Sequence, residues 1–278
     1  MTVPAARRRR RERETSDLGA RLVVAIPAAV LGGLFIGLGG LPWALFLIAL
    51  GCVCVYELYR LLERWRPVAP VGFAALAGMV LAARYGTQRH VLEVMVAAFP
   101  VLVVATLGRA GRGGATVAIA GTLLGIMWVG LAFAHAELLR ERPHGGGVTL
   151  DVVLGTVLGD TAAYLGGRLF GRRPLAPSIS PGKTVEGLFC GMLIAIVAVI
   201  VASRFQSAWM TNSHALILGV VVALAGPLGD LFESLVKRDA GAKDAGSIFG
   251  AHGGALDRVD AALFTIVAGY YVSLAVIH

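Results

Sequence analysis

The chain has 278 residues, of which 57% are hydrophobic and only 15% are charged, and its formal net charge is +8. A soluble domain carries about 25% charged residues, so this composition excludes an ordinary soluble enzyme. Apolar runs of about 20 residues recur along the chain, and each is long enough to cross a bilayer as a helix. Because these runs do not alternate apolar and polar residues, they predict an all-α polytopic membrane protein and disfavour a barrel.

The first 21 residues are rich in arginine and include the segment RRRRRERE. We predict that residues 1–21 form a basic cytoplasmic tail, in which each positive charge contributes about 1 kcal/mol at an anionic lipid surface. The apolar run from Leu22 predicts a retained first span, because no small-residue cleavage site followed by a soluble domain is present. A non-enzymatic alternative makes the tail a binding module for anionic lipid or nucleic acid.

Nine apolar segments predict nine transmembrane helices in a single integral-membrane catalytic domain, residues 22–278. With the N-terminus in the cytoplasm, 20 of the 25 Lys and Arg residues lie on the cytoplasmic side. Cytoplasmic loops are enriched in these residues, so we predict a cytoplasmic N-terminus, an external C-terminus and no nucleic-acid partner. The predicted spans are 22–39, 42–62, 68–84, 91–107, 115–136, 150–170, 184–203, 213–236 and 258–277.

The sixth predicted span contains an acidic residue, Asp160, near its middle, in the segment LGDTAAYLGGRLFG. Charged groups inside a span are costly, so Asp160 is a candidate functional residue. Tyr164 follows it by one helical turn and is expected to face the same cavity. In the seventh span, Gly187-x-x-x-Gly191 predicts a face that packs closely against another helix.

The segment SISPGKTVEG leads into the seventh span. Ser180 followed by Pro181 predicts a helix N-cap and first helical residue. Lys183 would then lie in the first turn, where free backbone N–H groups and an ammonium group form an anion site. An ordinary helix start is an equally good interpretation. The segment is not a P-loop, because Pro177 stands where that motif requires glycine.

Several polar residues of the eighth span share one helical face, at spacing i, i+3, i+4 and i+7. Gly226-Pro227 precedes them and is expected to loosen the helix. The ninth span begins near Leu256 and carries two carboxylates, Asp257 and Asp260, in its first turn. The residues on the shared face of the eighth span are Asp230, Glu233, Ser234 and Lys237.

Carboxylates from two helices that face each other form a hard-oxygen site, which predicts bound magnesium. An alternative is that these acids only form ion pairs with Lys237, Arg238 and Arg258. The segment AHGGALD before the ninth span supplies Gly253 and Gly254, which allow a phosphate to approach the backbone closely. His252 in this segment is either a phosphate ligand or a solvated loop residue.

The segment SLVKRDAGAKDAGSIFGAHGGALDRVD resembles the signature of the phosphatidate cytidylyltransferases, also called CDP-diacylglycerol synthases. GDLFES, SPGKTVEG and GDTAAYLGGRLFG also resemble motifs of that family, and the resemblance is strongest over residues 155–262. Ala255 and Gly250 depart from the usual pattern by being small. The signature residues are Ser234, Lys237, Arg238, Lys243, Asp244, His252, Gly253, Gly254, Asp257, Arg258 and Asp260.

The resemblance implies an all-α fold with a polar cavity open to the cytoplasm. It also implies that the protein forms a homodimer and is surrounded by membrane lipids. It implies transfer of a cytidylyl group from CTP to phosphatidic acid, with CDP-diacylglycerol and pyrophosphate as products. Magnesium and a second, monovalent cation, K⁺, are the implied cofactors. We expect Asp230 and Asp257 to hold the magnesium ion, supported by Asp260 and Glu233.

The other residues of the motifs are expected to bind phosphate or nucleotide. The expected catalytic residues are Lys237, Arg238, Lys243, Asp244, His252 and Arg258. The expected substrate-binding residues are Lys183, Ser180, Thr184, Glu186, Asp160, Tyr164, Ser234, Gly253 and Gly254. Two rival functions are a CTP-dependent polyprenol or phytol kinase, which releases CDP, and a membrane transporter, whose site would lie near the bilayer midplane.

Overall fold

The structure is a computed structural model that describes residues 30–109, 113–206, 209–246 and 253–277, and most of these residues are helical. Residues 30–38 form a helical segment that Gly39 separates from the first complete helix. The complete helices are α1 (Gly40–Leu61), α2 (Ala69–Tyr85), α3 (Gln88–Leu107), α4 (Ala115–Glu141), α5 (Gly145–Phe170), α6 (Val185–Ser203), α7 (Asn212–Asp239) and α8 (Leu256–Val276).

Seven helices in the described part of the chain are long and apolar enough to cross a membrane. The eighth, α2, is also apolar but has 17 residues. The prediction of a helical multi-pass membrane protein is confirmed. The count of nine spans and the orientation of the termini stay predictions, and the first predicted span is described only from residue 30.

The helices pack into two groups that share α8. Helices α5, α6 and α7 pack against one another, and α8 contacts α5 and α7 on one side and α1 and α4 on the other. The α5–α6 contact is close because Gly191 lies against Gly159 and Ala163: a Cβ at Gly191 would be 2.8 Å from the Gly159 carbonyl oxygen. The predicted close-packing face of Gly187 and Gly191 is therefore confirmed.

A short β-hairpin joins α5 to α6. Strand β1 (Pro174–Ala176) pairs antiparallel with β2 (Ser180–Thr184). The prediction that Ser180 caps the helix was wrong, because its backbone pairs with Ala176 in the hairpin. Thr184 is the N-cap of α6, and its Oγ1 accepts a hydrogen bond from Gly187 N at 3.1 Å. Lys183 accordingly lies at the end of β2 and not in the first helical turn.

Helix α4 contains a π-helical turn, Gly125–Gly130, that helps to support the site. The ring of Tyr59 occupies the space beside Gly125, and its hydroxyl donates to the Thr122 carbonyl at 2.8 Å. The same turn places Trp128 edge-on against Phe232 of α7, with ring centroids 4.8 Å apart. This contact packs the α7 segment that carries Glu233 against the α4 side of the protein.

Candidate active site

Three carboxylates from α7 and α8 come together at one place. Asp230, Glu233 and Asp260 each offer an oxygen, and these atoms lie within 4.8 Å of one another. Gly229 makes this possible, because α7 and α8 approach closely beside it. A Cβ at Gly229 would be 2.6 Å from the Asp260 carbonyl oxygen and 3.1 Å from the Ala261 Cα.

Glu233 is the most deeply buried member of this carboxylate cluster, with 1% of its surface exposed. One of its oxygens, Oε2, accepts from Lys237 Nζ one turn later on α7. The other, Oε1, has no hydrogen-bond partner among the described residues. A buried carboxylate oxygen is costly unless a cation or a donor satisfies it. The cluster is therefore suited to bind a positive ion.

Lys237 connects the cluster to Asp257, the first acidic residue of α8. Its Nζ donates to Asp257 Oδ1 at 2.7 Å. Asp257 also accepts from the backbone nitrogens of Gly254, at 2.7 Å, and Ala245, at 3.0 Å. These contacts tie Asp257 to the α7–α8 loop, residues 240–255. The structure thus groups Asp260, and not Asp257, with Asp230 and Glu233.

The β-hairpin brings a second lysine to the cluster. Lys183 Nζ lies 2.6 Å from Asp230 Oδ2, which confirms that the hairpin segment and the eighth predicted span meet. Arg238 holds the hairpin in place by donating from Nε to the Ile179 carbonyl at 3.1 Å. Glu186 accepts from the backbone nitrogens of Arg172 and Arg173, so in this structure its carboxylate fixes the start of the hairpin.

Helix α5 carries two further sequence-predicted residues, Asp160 and Tyr164. Both side chains are exposed, although the helix is one of the membrane-spanning candidates. Asp160 lies near enough to Asp230 and Lys183 for their charges to interact. An exposed carboxylate midway along such a helix is costly in lipid, which makes Asp160 a candidate functional group beside the cluster.

The remaining sequence-predicted residues differ in exposure, and one of them lies outside the described residues. Ser234 is nearly buried on α7, while Lys243, Asp244 and Arg258 are exposed. Gly253 is buried beside Asp257 with a φ of +82°, in the left-handed region that favours glycine. His252 falls outside the described residues.

Charges of both signs meet at the carboxylate cluster. Two ammonium groups, Lys183 and Lys237, form close ion pairs with its acids. Five carboxylates surround them: Asp160, Asp230, Glu233, Asp257 and Asp260. Carboxylate oxygens are the ligands that Mg²⁺ prefers, and the unsatisfied oxygen of Glu233 gives such an ion a position. The donor set therefore fits magnesium.

One buried acid of this region, Glu57 on α1, was missed by the sequence interpretation. Its side chain is 2% exposed, and Oε2 accepts from Leu256 N, at the start of α8, at 2.8 Å. The sequence carries a signal for it, because an ionisable residue inside an apolar run is a functional candidate in its own right.

Comparison with known proteins gives a consistent result. The model of the cytidylyltransferase family matches residues 19–276. A phosphatidate cytidylyltransferase of Bacillus subtilis is 28% identical over 92% of this chain and 97% of its own length. One from Staphylococcus epidermidis is 40% identical over 52% of this chain and 55% of its own length. A chloroplastic phosphatidate cytidylyltransferase of Arabidopsis thaliana is 46% identical over 42% of this chain and 29% of its own length.

Proposed function

The chain belongs to the cytidylyltransferase family, and on this basis we propose that it transfers the cytidylyl group of CTP to phosphatidic acid. The products are CDP-diacylglycerol and pyrophosphate, which places the protein in phospholipid biosynthesis. The observation that carries the proposal is the carboxylate cluster of α7 and α8, flanked by Lys183 and Lys237. These residues belong to the motifs that resemble the family.

The chemistry requires two anionic phosphates to meet. An oxygen of the lipid phosphate attacks the α-phosphorus of CTP, a new P–O bond forms, and the bond to the β-phosphate breaks to release pyrophosphate. No general base is needed, because the attacking oxygen is already ionised near neutral pH. Positioning and charge neutralisation supply most of the rate increase in such a reaction.

Asp230, Glu233 and Asp260 would hold a magnesium ion, with Asp257 adjacent through Lys237. A bound magnesium ion would supply positive charge that neutralises the phosphates during the reaction. A second, monovalent cation, K⁺, is proposed beside it from the family resemblance. Magnesium and K⁺ are therefore the proposed cofactors.

The basic residues neutralise and orient the phosphates. Lys183 and Lys237 now bind carboxylates, and both exchange those partners for phosphate oxygens when substrate enters. Lys243 and Arg258 are exposed and are proposed to bind the triphosphate or the lipid phosphate. Asp160 and Tyr164 are proposed to line the nucleotide side of the cavity. His252 is proposed to donate to phosphate.

We place the site at the cytoplasmic side of the plasma membrane. Arg64 Nη2 donates to the Asp239 carbonyl at 2.6 Å. Both residues follow spans that are predicted to end in the cytoplasm, so their contact supports a cytoplasmic position for the site. Asp230 and Glu233 also lie in the part of α7 nearer its predicted cytoplasmic end, whereas a transporter site is expected near the midplane. A homodimer is proposed from the family resemblance.

Product analysis tests this function. Purified protein in detergent, supplied with CTP, phosphatidic acid and Mg²⁺, is expected to form a CMP-bearing lipid and pyrophosphate in equal amounts. CTP labelled at the α- or the γ-phosphate distinguishes the outcomes. Release of CDP with γ-label in phytol, supplied in place of phosphatidic acid, would instead identify a lipid kinase, and absence of CMP-bearing lipid would contradict the proposed function.

A further inference from the structure

Glu57 joins the first half of the chain to the site. It lies on α1, far in sequence from the family motifs, yet its carboxylate hydrogen-bonds the backbone of Leu256, 199 residues later. Glu57 is 2% exposed, and its second oxygen, Oε1, has no hydrogen-bond partner within the described ranges. A buried carboxylate in an apolar helix is costly, so its burial requires a compensating role.

The contact satisfies a backbone group that α8 cannot satisfy by itself. The first N–H groups of a helix have no partner within the helix and are usually bound by an N-cap side chain. Here the N-cap is Ala255, which has no side-chain acceptor. Glu57 supplies that acceptor from another helix, and its negative charge also lies favourably at the positive end of α8.

Glu57 also lies against two glycines of the α7–α8 loop, Gly246 and Gly254. A Cβ at Gly246 would be 2.6 Å from its carboxyl carbon, and one at Gly254 would be 2.5 Å from the same atom. The loop backbone therefore passes close to the Glu57 carboxylate at Gly246 and again at Gly254. Between the two glycines lies His252, and directly after them come Asp257 and Asp260.

We infer that Glu57 is a positioning residue, whose carboxylate closes the base of the α7–α8 loop and fixes the start of α8. In this way it holds Asp257 against Lys237, and Asp260 within the carboxylate cluster, in one arrangement. The inference rests on the proposed function for its effect on catalysis. The claim that Glu57 fixes the loop and the start of α8 does not depend on the reaction.

Three substitutions separate positioning from simple stabilisation. Glu57→Gln keeps an oxygen that can accept from Leu256 N, whereas Glu57→Leu removes the acceptor. Glu57→Asp keeps the charge but is one methylene too short, and it serves if the leucine variant does not fold. Glu93, an exposed residue of α3 paired with Arg89, provides the control Glu93→Gln.

Two readouts are needed. Hydrogen–deuterium exchange of peptides covering residues 241–258 is expected to become about tenfold faster in Glu57→Leu and Glu57→Asp, the size expected for loss of a hydrogen bond to a charged group. The rest of α5–α8 should exchange as in the wild type. In the same two variants, kcat should fall about tenfold or more. Glu57→Gln should keep most of the wild-type kcat, and Glu93→Gln should have the wild-type kcat.

Different failures have different meanings. A wild type that forms no CMP-bearing lipid would refute the proposed function, while the exchange experiment would still test the loop. Unchanged exchange in residues 241–258 would overturn the inference. So would an activity loss accompanied by uniformly faster exchange across all helices, because Glu57 would then only stabilise the fold.

Discussion

Gly229 offers a sharp test of how the site is assembled. In Gly229→Ala, the new Cβ would lie 2.6 Å from the Asp260 carbonyl oxygen, where an ordinary contact needs 3.4 Å. The two backbones must therefore separate by about 0.8 Å beside the carboxylate cluster. Overpacking of this kind costs about 1–3 kcal/mol, and the higher helix propensity of alanine offsets about 1 kcal/mol of it.

The effect on activity should exceed the effect on stability. A displacement of about 1 Å at a catalytic group costs about 100-fold in rate, so we expect kcat to fall between tenfold and 100-fold. Pyrophosphate release at saturating CTP and phosphatidic acid measures this loss, and thermal unfolding in detergent measures the stability. Unfolding should shift by only a few degrees, which leaves the protein folded at the assay temperature.

Gly226 is the matched control, one helical turn earlier on α7. A Cβ there would meet Thr265 Cγ2 at 3.6 Å, an ordinary contact. Because Pro227 follows and disfavours a helical residue before it, we expect the stability change of Gly226→Ala to stay within about 1 kcal/mol. Equal activity in the two variants would refute the argument that the close approach at Gly229 forms the site.

Three further predictions concern charge. Lys183→Met should lower kcat/KM for CTP about 100-fold, because Asp230 and the phosphates lose a cation. The rate of CMP-lipid formation measures this loss. If Lys183→Arg were equally inactive, the positive charge would not be what Lys183 contributes. EDTA should abolish product formation and Mg²⁺ should restore it; turnover in EDTA would contradict the metal assignment. Arg84→Met should reduce the free energy of unfolding by about 3 kcal/mol, because Glu137 is fully buried beside it, whereas Arg89→Met at an exposed pair should cost about 0.5 kcal/mol or less.

The fold was largely predictable because the bilayer leaves few solutions. Apolar runs of bilayer length must form helices, and each run from Gly40 onward is helical at nearly the expected bounds. Leu256 begins α8 as predicted, where a glycine-rich loop meets an apolar run. The hairpin before α6 was missed because Ser180 and Thr184 are both good N-caps. Backbone pairing with Ala176, which local sequence does not reveal, decides between them.

The site was predictable where charges stand out against apolar sequence. Asp230, Glu233 and Asp260 were found in this way, and the structure brings them together. The backbone contacts of Asp257 could not be predicted, because they depend on how the loop offers Ala245 N and Gly254 N. Glu57 stood out equally, but its partner is 199 residues away and no local spacing links the two.

The most direct measurement is anomalous diffraction from crystals of the protein soaked with Mn²⁺ and CTP. The account predicts a manganese peak within coordination distance of Asp230 and Asp260, in contact with the triphosphate. A peak bound to nucleotide but remote from both carboxylates, or a triphosphate bound on the opposite face of the protein, would contradict it.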